Sequence, residues 1–564
     1  MNIRHFLTTA TAATALLASA HAAVHAQAGY GAGVATADGA VFVAEPSNIV
    51  RSGIVYVYAP DGSGAWIETA QLTAPGAQPG DRFGSAIAAD ATTMLASRAG
   101  ENDGRGAVYV FERRGASWER TGVIAPDDRA ADDSVGTALA IAGDVAVISA
   151  AGAGDAGAVY VFTRSGGAWT QTVKLTGSDA AADDRYGASV AVLGDRLLVG
   201  APGQAENRGA AYLYERAADG SWRETAKLVS RTVSDGSLLG ASVALLRDYA
   251  IAGAPGRDES TGAVYLFERN PQEEGWAAYT RLFPWDGGSQ SQFGAALSIV
   301  DDELWVASPG TDGYIGTIYR FAWDAEREEW MSADKFSPPA DAAPGGFAYR
   351  LAAAGALGVA SVPGANQGEG GVAFLGRDAA GEWSVQGAAA PEPEVFPAVT
   401  GGVVECSSGK AGMFECGGDV QLLSFLPIPD IGGERGVNLN DIWGWTDAQT
   451  GREYALVGRT NGTSFVDVTD PSNPRYLGDL PMTDGAQANA WRDIKVYRDH
   501  AYIVADGSGT HGMQVFDLSK LRNVSAPQTF TADTVYRQIF SAHNIVINEE
   551  SGFAFAVGSN SGGE

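Results

Sequence analysis

The stretch "DRYGASVAVLGDRLLVGAPG" (Asp184–Gly203) holds two short apolar runs split by the turn Gly194-Asp195. "GAAYLYER" (Gly209–Arg216) follows as a third run, and "WRETAKL" (Trp222–Leu228) as a fourth. Runs this short, rich in Val, Leu and Tyr and bounded by Gly and Asp, read as β-strands. The strand period of two puts Trp222 and Leu228, six residues apart, on one face. Trp66 with Leu72 and Trp169 with Leu175 repeat that spacing. Four strands in about 50 residues form a sheet too small to bury both of its faces alone.

The unit recurs along the chain. An aromatic- or aliphatic-Gly pair stands at Tyr30-Gly31, Phe83-Gly84, Val135-Gly136, Tyr186-Gly187, Leu239-Gly240 and Phe293-Gly294, with Phe347-Ala348 as a degenerate seventh copy; the steps are 53, 52, 51, 53, 54 and 54 residues. A second marker, typified by Gly-Ala-Val-Tyr-Val-Phe, starts at Gly53, Gly106, Gly157, Gly209, Gly262, Gly316 and Gly371. The third is Trp, at Trp66, Trp118, Trp169, Trp222, Trp276, Trp330 and Trp383. Each marker counts seven, so residues 27–387 are expected to form an all-β, seven-bladed β-propeller with the Trp and third-strand Tyr residues packed between blades. Asp127-Asp128, Asp132-Asp133 and Asp183-Asp184 precede the starts of units and read as solvated loop charge rather than catalytic carboxylate pairs.

These units resemble FG-GAP repeats, the blades of integrin α-subunit propellers, on the strength of Phe83-Gly84 and the Ala-Pro-Gly stretches at Ala201–Gly203 and Ala254–Gly256. That family often holds calcium in an Asp-x-Asp-x-Asp-Gly loop. The matching loops here, "AGENDGRGA" (Ala99–Ala107), "PGQAENRGA" (Pro202–Ala210) and "PGRDESTGA" (Pro255–Ala263), lack alternating carboxylates, so calcium is not carried over.

Outside the repeat, Arg4 followed by the apolar stretch Phe6–Ala20 and Val24-His25-Ala26 forms the three-part pattern of a secretory signal over residues 1–26. Export in turn makes a Cys406–Cys416 disulfide an expectation, although two cysteines make no disulfide scaffold. Asp+Glu 67 against Lys+Arg 38 gives a net charge of −29, which argues against nucleic acid or anionic lipid as partner. No later run of eighteen apolar residues is present to span a membrane. Between His25 and Cys406 there is neither His nor Cys.

Composition changes at "GAAAPEPEVFPAVTGG" (Gly387–Gly402), and residues 388–402 read as a stiff Pro/Glu linker. In residues 403–564 a different repeat starts with "NDIWGW" at Asn440, "RDIKVY" at Arg492 and "HNIVIN" at His543, in steps of 52 and 51. These are again blade-like units, expected to form a second, incomplete propeller-like domain. The stretch resembles the choice-of-anchor B family of bacterial exported proteins, built from LVIVD repeats. The cysteine loop around Gly409–Gly412 carries the match together with Leu439–Pro481, Trp491–Arg522 and Ser541–Gly558. The resemblance implies retention at the cell surface through a C-terminal sorting signal. Since the sequence stops at "SNSGGE" within the third unit, a truncated chain is expected, with envelope anchoring supplied by sequence beyond it.

Superposing the three units places Asp441, Asp493 and Asn544 at one phase of the first strand, with His543 beside Asn544. A ring of carboxylates and one imidazole in a propeller channel suits a divalent cation or a small polar ligand; alternatively, each side chain caps backbone N–H groups at a blade turn. His500 and His511 sit near turns and read as surface residues. No Gly-x-Ser-x-Gly elbow, His-Glu-x-x-His or P-loop occurs. Two functions remain. One is an exported, non-enzymatic module for adhesion to an extracellular protein or glycan. The other is an exported metal-dependent hydrolase using Asp441, Asp493 and His543.

Overall fold

The first two sequence markers are the two sides of one contact. Gly209 pairs with Leu239 of the next unit in an isolated parallel bridge, as Gly106 does with Val135 and Gly262 with Phe293. Glycine is required there: a Cβ on Gly209 would lie 2.1 Å from the Leu239 carbonyl oxygen. Gly240, at φ +86°, would place its Cβ 2.3 Å from the Ala210 carbonyl oxygen, so the pair's glycine meets both a steric and a conformational demand.

In this computed structural model, the structure describes residues 29–559 apart from 48–51, 79, 155, 271–274, 339–344, 379, 392–395, 418–419 and 435–436. The export signal at 1–26 and part of the linker therefore lie outside the described residues. Two compact units are present, Met1–Pro391 and Glu392–Glu564.

Among the described residues the first unit contains seven four-stranded antiparallel sheets, each with its strands in sequence order. Their first strands begin at Gly33, Phe83, Val135, Ser189, Ser242, Leu297 and Leu351. Each first strand packs on the next, and Gly33–Ala37 packs on Leu351–Ala354, closing a ring with the first strands at its hub. The bridge Tyr30–Gly370 completes the circle. Seven hydrophobic clusters fill the seven joints between adjacent sheets. The repeated Trp residues lie in these joints: Trp118 meets Phe42 edge-on at 4.9 Å, Trp66 stacks on Phe374 at 4.3 Å, and Trp383 meets Trp305 at 4.7 Å.

Two sequence expectations are corrected here. Trp222 and Leu228 do not share a face. A β-bulge at Thr225 inserts one residue into the outermost strand, so Trp222 enters the joint with the preceding sheet and Leu228 the joint with the following one. The same bulge separates Trp66 from Leu72 and Trp169 from Leu175. Nor are the aspartate pairs simply solvated. Asp133 and Asp184 are buried, and their carboxylates accept from the Ala130 and Ala181 amides at 2.7 and 2.8 Å. Asp128 pairs with Lys174 at 2.7 Å.

The loops that correspond to calcium loops in the resembled family serve as backbone hooks. Ala205, Glu206 and Asn207 all have left-handed φ, of 52°, 62° and 62°. This turn aims the Asn207 and Arg208 carbonyls at the Leu238 and Leu239 amides of the next sheet, at 2.9 and 3.0 Å. In the loop nearest to a carboxylate motif, Glu101 accepts from the Tyr109 hydroxyl at 2.9 Å and pairs with Arg98 at 3.3 Å.

The second unit opens with a short segment in which Cys406 and Cys416 are disulfide-bonded, their Cα atoms 5.9 Å apart. Three sheets follow among the described residues. The first comprises Leu439–Thr446, Glu453–Arg459, Gly462–Asp467 and Arg475–Pro481, with Gln528–Thr529 added in parallel. Arg492–Tyr497, His500–Ala505, Met513–Asp517 and Thr534–Tyr536 form the second, and the hairpin Asn544–Asn548/Phe553–Val557 the third. Their first strands pack side by side as in the ring. The chain is thus all-β, and among the described residues no helix is long and apolar enough to cross a membrane.

Candidate functional site

At the starts of the first strands of the second unit stand Asn440-Asp441, Arg492-Asp493 and His543-Asn544, one pair per sheet. Because these strands lie side by side, the pairs converge. Together with Trp491 they line a pocket of about 320 Å³. All four sequence-selected residues, Asp441, Asp493, His543 and Asn544, are therefore brought together.

Their hydrogen bonds show what holds them. The Asp441 Oδ2 accepts from the Ile494 amide at 2.8 Å, and the Asp493 Oδ2 accepts from the Ile545 amide at 2.6 Å. Each carboxylate thus ties its own first strand to that of the next sheet. Asn440 does the same, accepting from the Arg492 amide at 2.9 Å. Asp441 reaches its partner from a bulge at φ 62°, a conformation that Asp tolerates better than most residues. Asp493 is 5% exposed, and its other oxygen takes the Lys495 ammonium at 2.5 Å. Among the described residues no three His, Cys, Asp or Glu side chains gather at a metal-holding spacing.

The outer wall is aromatic and amphipathic. Trp491 is 52% exposed, with its ring 6.4 Å from that of His543. Outside the lining, Trp443, 39% exposed, lies beneath the Lys495 ammonium at 4.1 Å. His543 Nδ1 lies 2.9 Å from Asp506 Oδ2, which fixes the imidazole and leaves Nε2 without a hydrogen bond among the described residues. Asn544 is exposed beside it.

Behind the pocket is a buried cationic cluster. The Arg492 guanidinium donates to the Arg459 and Thr460 carbonyls and sits 3.0 Å from His511 Nε2. Burial, then the Arg459 charge, lowers its pKa to about 10, so it is still protonated at neutral pH. His511 was expected at the surface and is instead 0% exposed. Its Nδ1 lies 3.0 Å from the Gly512 carbonyl, which makes Nδ1 the donor and Nε2 the acceptor for Arg492. Burial and the adjacent guanidinium hold its pKa down at about 4. Sequence reasoning missed Trp491, Trp443 and Asp506. The tryptophans sit in strand-like runs where exposure is not readable, and Asp506 meets His543 from 37 residues away.

A known repeat family matches part of the first unit in step with its sheets. Residues 66–111, 118–162, 169–214 and 222–267 each match the FG-GAP repeat. Each match runs from the outermost strand of one sheet to the third strand of the next, so the repeat in sequence straddles two sheets in space. No curated protein matches the chain. Similar solved structures include a protein from Lactobacillus plantarum (14% identity, 60% of this chain and 93% of that one, TM-score 0.42). A hypothetical selenium-binding protein from Sulfolobus tokodaii is another (10% identity, 62% and 90% covered, TM-score 0.43). A functionally unknown protein from Desulfotomaculum acetoxidans is a third (10% identity, 60% and 96% covered, TM-score 0.38). The chain thus carries four FG-GAP repeats within an all-β architecture of four-stranded antiparallel sheets.

Proposed function

We propose that the chain is an exported, cell-surface binding protein in which the first ring is a display scaffold and the pocket of the second unit takes a glycan. The signal pattern at 1–26 and the resemblance of residues 403–564 to choice-of-anchor B proteins support export and surface retention. The observation that carries the ligand class is the exposed Trp491 beside Asn544 and the free edge of His543. An aromatic face with planar hydrogen-bonding groups alongside suits a sugar ring, which presents C–H groups on one face and hydroxyls at its edge. The metal-dependent hydrolase reading is less well supported, because Asp441 and Asp493 are engaged by backbone amides and Lys495.

The test is a glycan-array screen with the full chain, followed by titration of the best binder against the Trp491→Ala variant. Loss of at least tenfold in affinity at an unchanged melting temperature is expected. Failure of every arrayed glycan to bind, or unaltered binding by the variant, would overturn the reading. Metal analysis of the same preparations addresses the alternative: stoichiometric metal lost on Asp493→Ala would restore the hydrolase.

A further inference from the structure

In a repeat array, residues that recur at one phase maintain the fold, and a residue that breaks phase in a single unit calls for a different reason. Strand register makes the phases comparable. Opposite the repeated Trp, at the end of the third strand, stand Arg113, Arg164, Arg216, Arg269 and Arg377 in sheets two, three, four, five and seven. In sheet one the residue is Pro60, opposite Trp66, and in sheet six it is Trp323, opposite Trp330. The bulge residue of the outermost strand is Thr69, Thr121, Thr172 and Thr225 in sheets one to four. The hydroxyls of Thr69, Thr172 and Thr225 donate to a third-strand carbonyl at 3.1, 2.9 and 3.4 Å. Sheets six and seven have Ala333 and Gln386 there, and in sheet five the bulge residue is Tyr279, whose hydroxyl donates to the Glu328 carbonyl of sheet six at 2.9 Å. Tyr249, at the start of the second strand of sheet five, takes the place held by Arg196 in sheet four and Glu303 in sheet six.

Tyr249, Tyr279 and Trp323 meet at the joint of sheets five and six. The Tyr249 ring centroid lies 5.8 Å from Tyr279, 6.1 Å from Trp323 and 5.6 Å from Trp330. Tyr279 and Trp323 are each 38% exposed. The rim is acidic: burial above all, and then charges including Glu268, Asp248, Glu328 and Glu329, push the hydroxyl pKa values of Tyr249 and Tyr279 up.

The cation that other sheets carry at this place is missing. Arg164 sits over the Trp169 ring at 5.1 Å. Arg113 and Arg377 reach the first turn of the preceding sheet, at Asp38 (3.8 Å) and Asp301 (2.9 Å). Sheet six has Trp323 instead, and the turn of sheet five places Arg247 in register with Asp38 and Asp301, where it pairs with Asp302 of sheet six.

We propose that Tyr249, Tyr279, Trp323 and Trp330 form a docking surface for a lysine or arginine side chain of a partner protein. The ring faces attract a cation through their quadrupoles, and the carboxylate rim adds charge complementarity. This surface lies on the ring and does not depend on the glycan reading of the second unit.

The test titrates the full chain, at about 0.15 M salt to screen long-range attraction, with an octapeptide alternating arginine and glycine, followed by tryptophan fluorescence and calorimetry. Trp323→Arg and Tyr279→Thr install the residues that other sheets carry at those phases, so both are expected to fold with unchanged melting temperature. Each is expected to weaken peptide binding at least tenfold. Equal binding by both variants would overturn the proposal, since it would mark non-specific attraction to an acidic protein. Absence of wild-type binding at millimolar peptide would do the same, as would binding of maltopentaose in place of the peptide with loss in both variants. Should Trp323→Arg fail to fold, Tyr279→Thr alone decides.

Discussion

The ring and the second unit solve one problem, how to tie neighbouring first strands together, with different chemistry. The ring uses backbone proximity and neutral groups. Gly209 and Leu239 touch across the joint, and the Ser189 and Ser242 hydroxyls donate to the Gly240 and Gly294 carbonyls at 2.8 and 2.7 Å. In the second unit the Asp441 and Asp493 carboxylates accept from the Ile494 and Ile545 amides, backed by the buried Arg459, Arg492 and His511. The ring therefore depends on the absence of Cβ atoms, and the second unit on protonation state. Since each unit has its own hydrophobic clusters, the full chain is expected to unfold in two calorimetric transitions, on which these dependences separate.

Gly240→Ala has the largest expected effect. Its Cβ would meet the Ala210 oxygen at a left-handed φ, combining overpacking with backbone strain for a loss of about 4 kcal/mol. Only the ring's transition should move; an equal shift in the second unit's transition would break the comparison. Acid should act the other way. The His511 pKa lies below its unfolded value, so its contribution is complete above about pH 6.5 and falls as pH drops through the window down to about 4, where the unfolded chain takes up the proton first. That span corresponds to a loss on the order of 3 kcal/mol in the second unit. His511→Gln, which can still accept from Arg492 and donate to Gly512, should flatten the pH dependence; a slope retained in the variant would place it elsewhere.

The ring was legible because its joints are made by residue types that leave a trace. Gly209 leaves no room for a Cβ beneath the Leu239 carbonyl, so the glycine marker recurs. The phase of Asp441, Asp493 and Asn544 was legible for the same reason. What escaped was anything that needed register. A bulge at Thr225 moved Leu228 to the opposite face from Trp222, and a bulge leaves no periodic signal beyond a Thr. Burial of Asp133, Asp184 and His511 depends on what packs over each loop, which a short polar string does not reveal. Tyr279 and Trp323 were visible as letters, yet only strand register sets them beside Thr172 and Arg164.

Asp493→Ala tests the charged tie alone. It strands the Ile545 amide and removes the Lys495 partner, for an expected loss of about 2 kcal/mol in the second unit's transition with the ring unchanged. Asp493→Asn keeps an acceptor for the amide, so it should recover part of that loss; a variant as poor as alanine would mean that the charge, rather than the hydrogen bond, makes the tie.

The smallest expected effect is a gain. Glu206 is exposed and left-handed at φ 62°, in the hook that offers the Asn207 and Arg208 carbonyls to the next sheet. Gly313 holds the matching position in sheet six, at φ 69°. Replacing Glu206 by glycine relieves strain of about 1–2 kcal/mol and gives back about 0.4–1 kcal/mol through the greater freedom of the unfolded chain, leaving a net gain near 0.5–1 kcal/mol. No buried contact is lost to confuse the result. A rise of the ring's transition with none in the second unit would locate this strain in the hook. A fall would mean that the Glu206 side chain contributes something beyond its backbone, and that the loops are more than hooks.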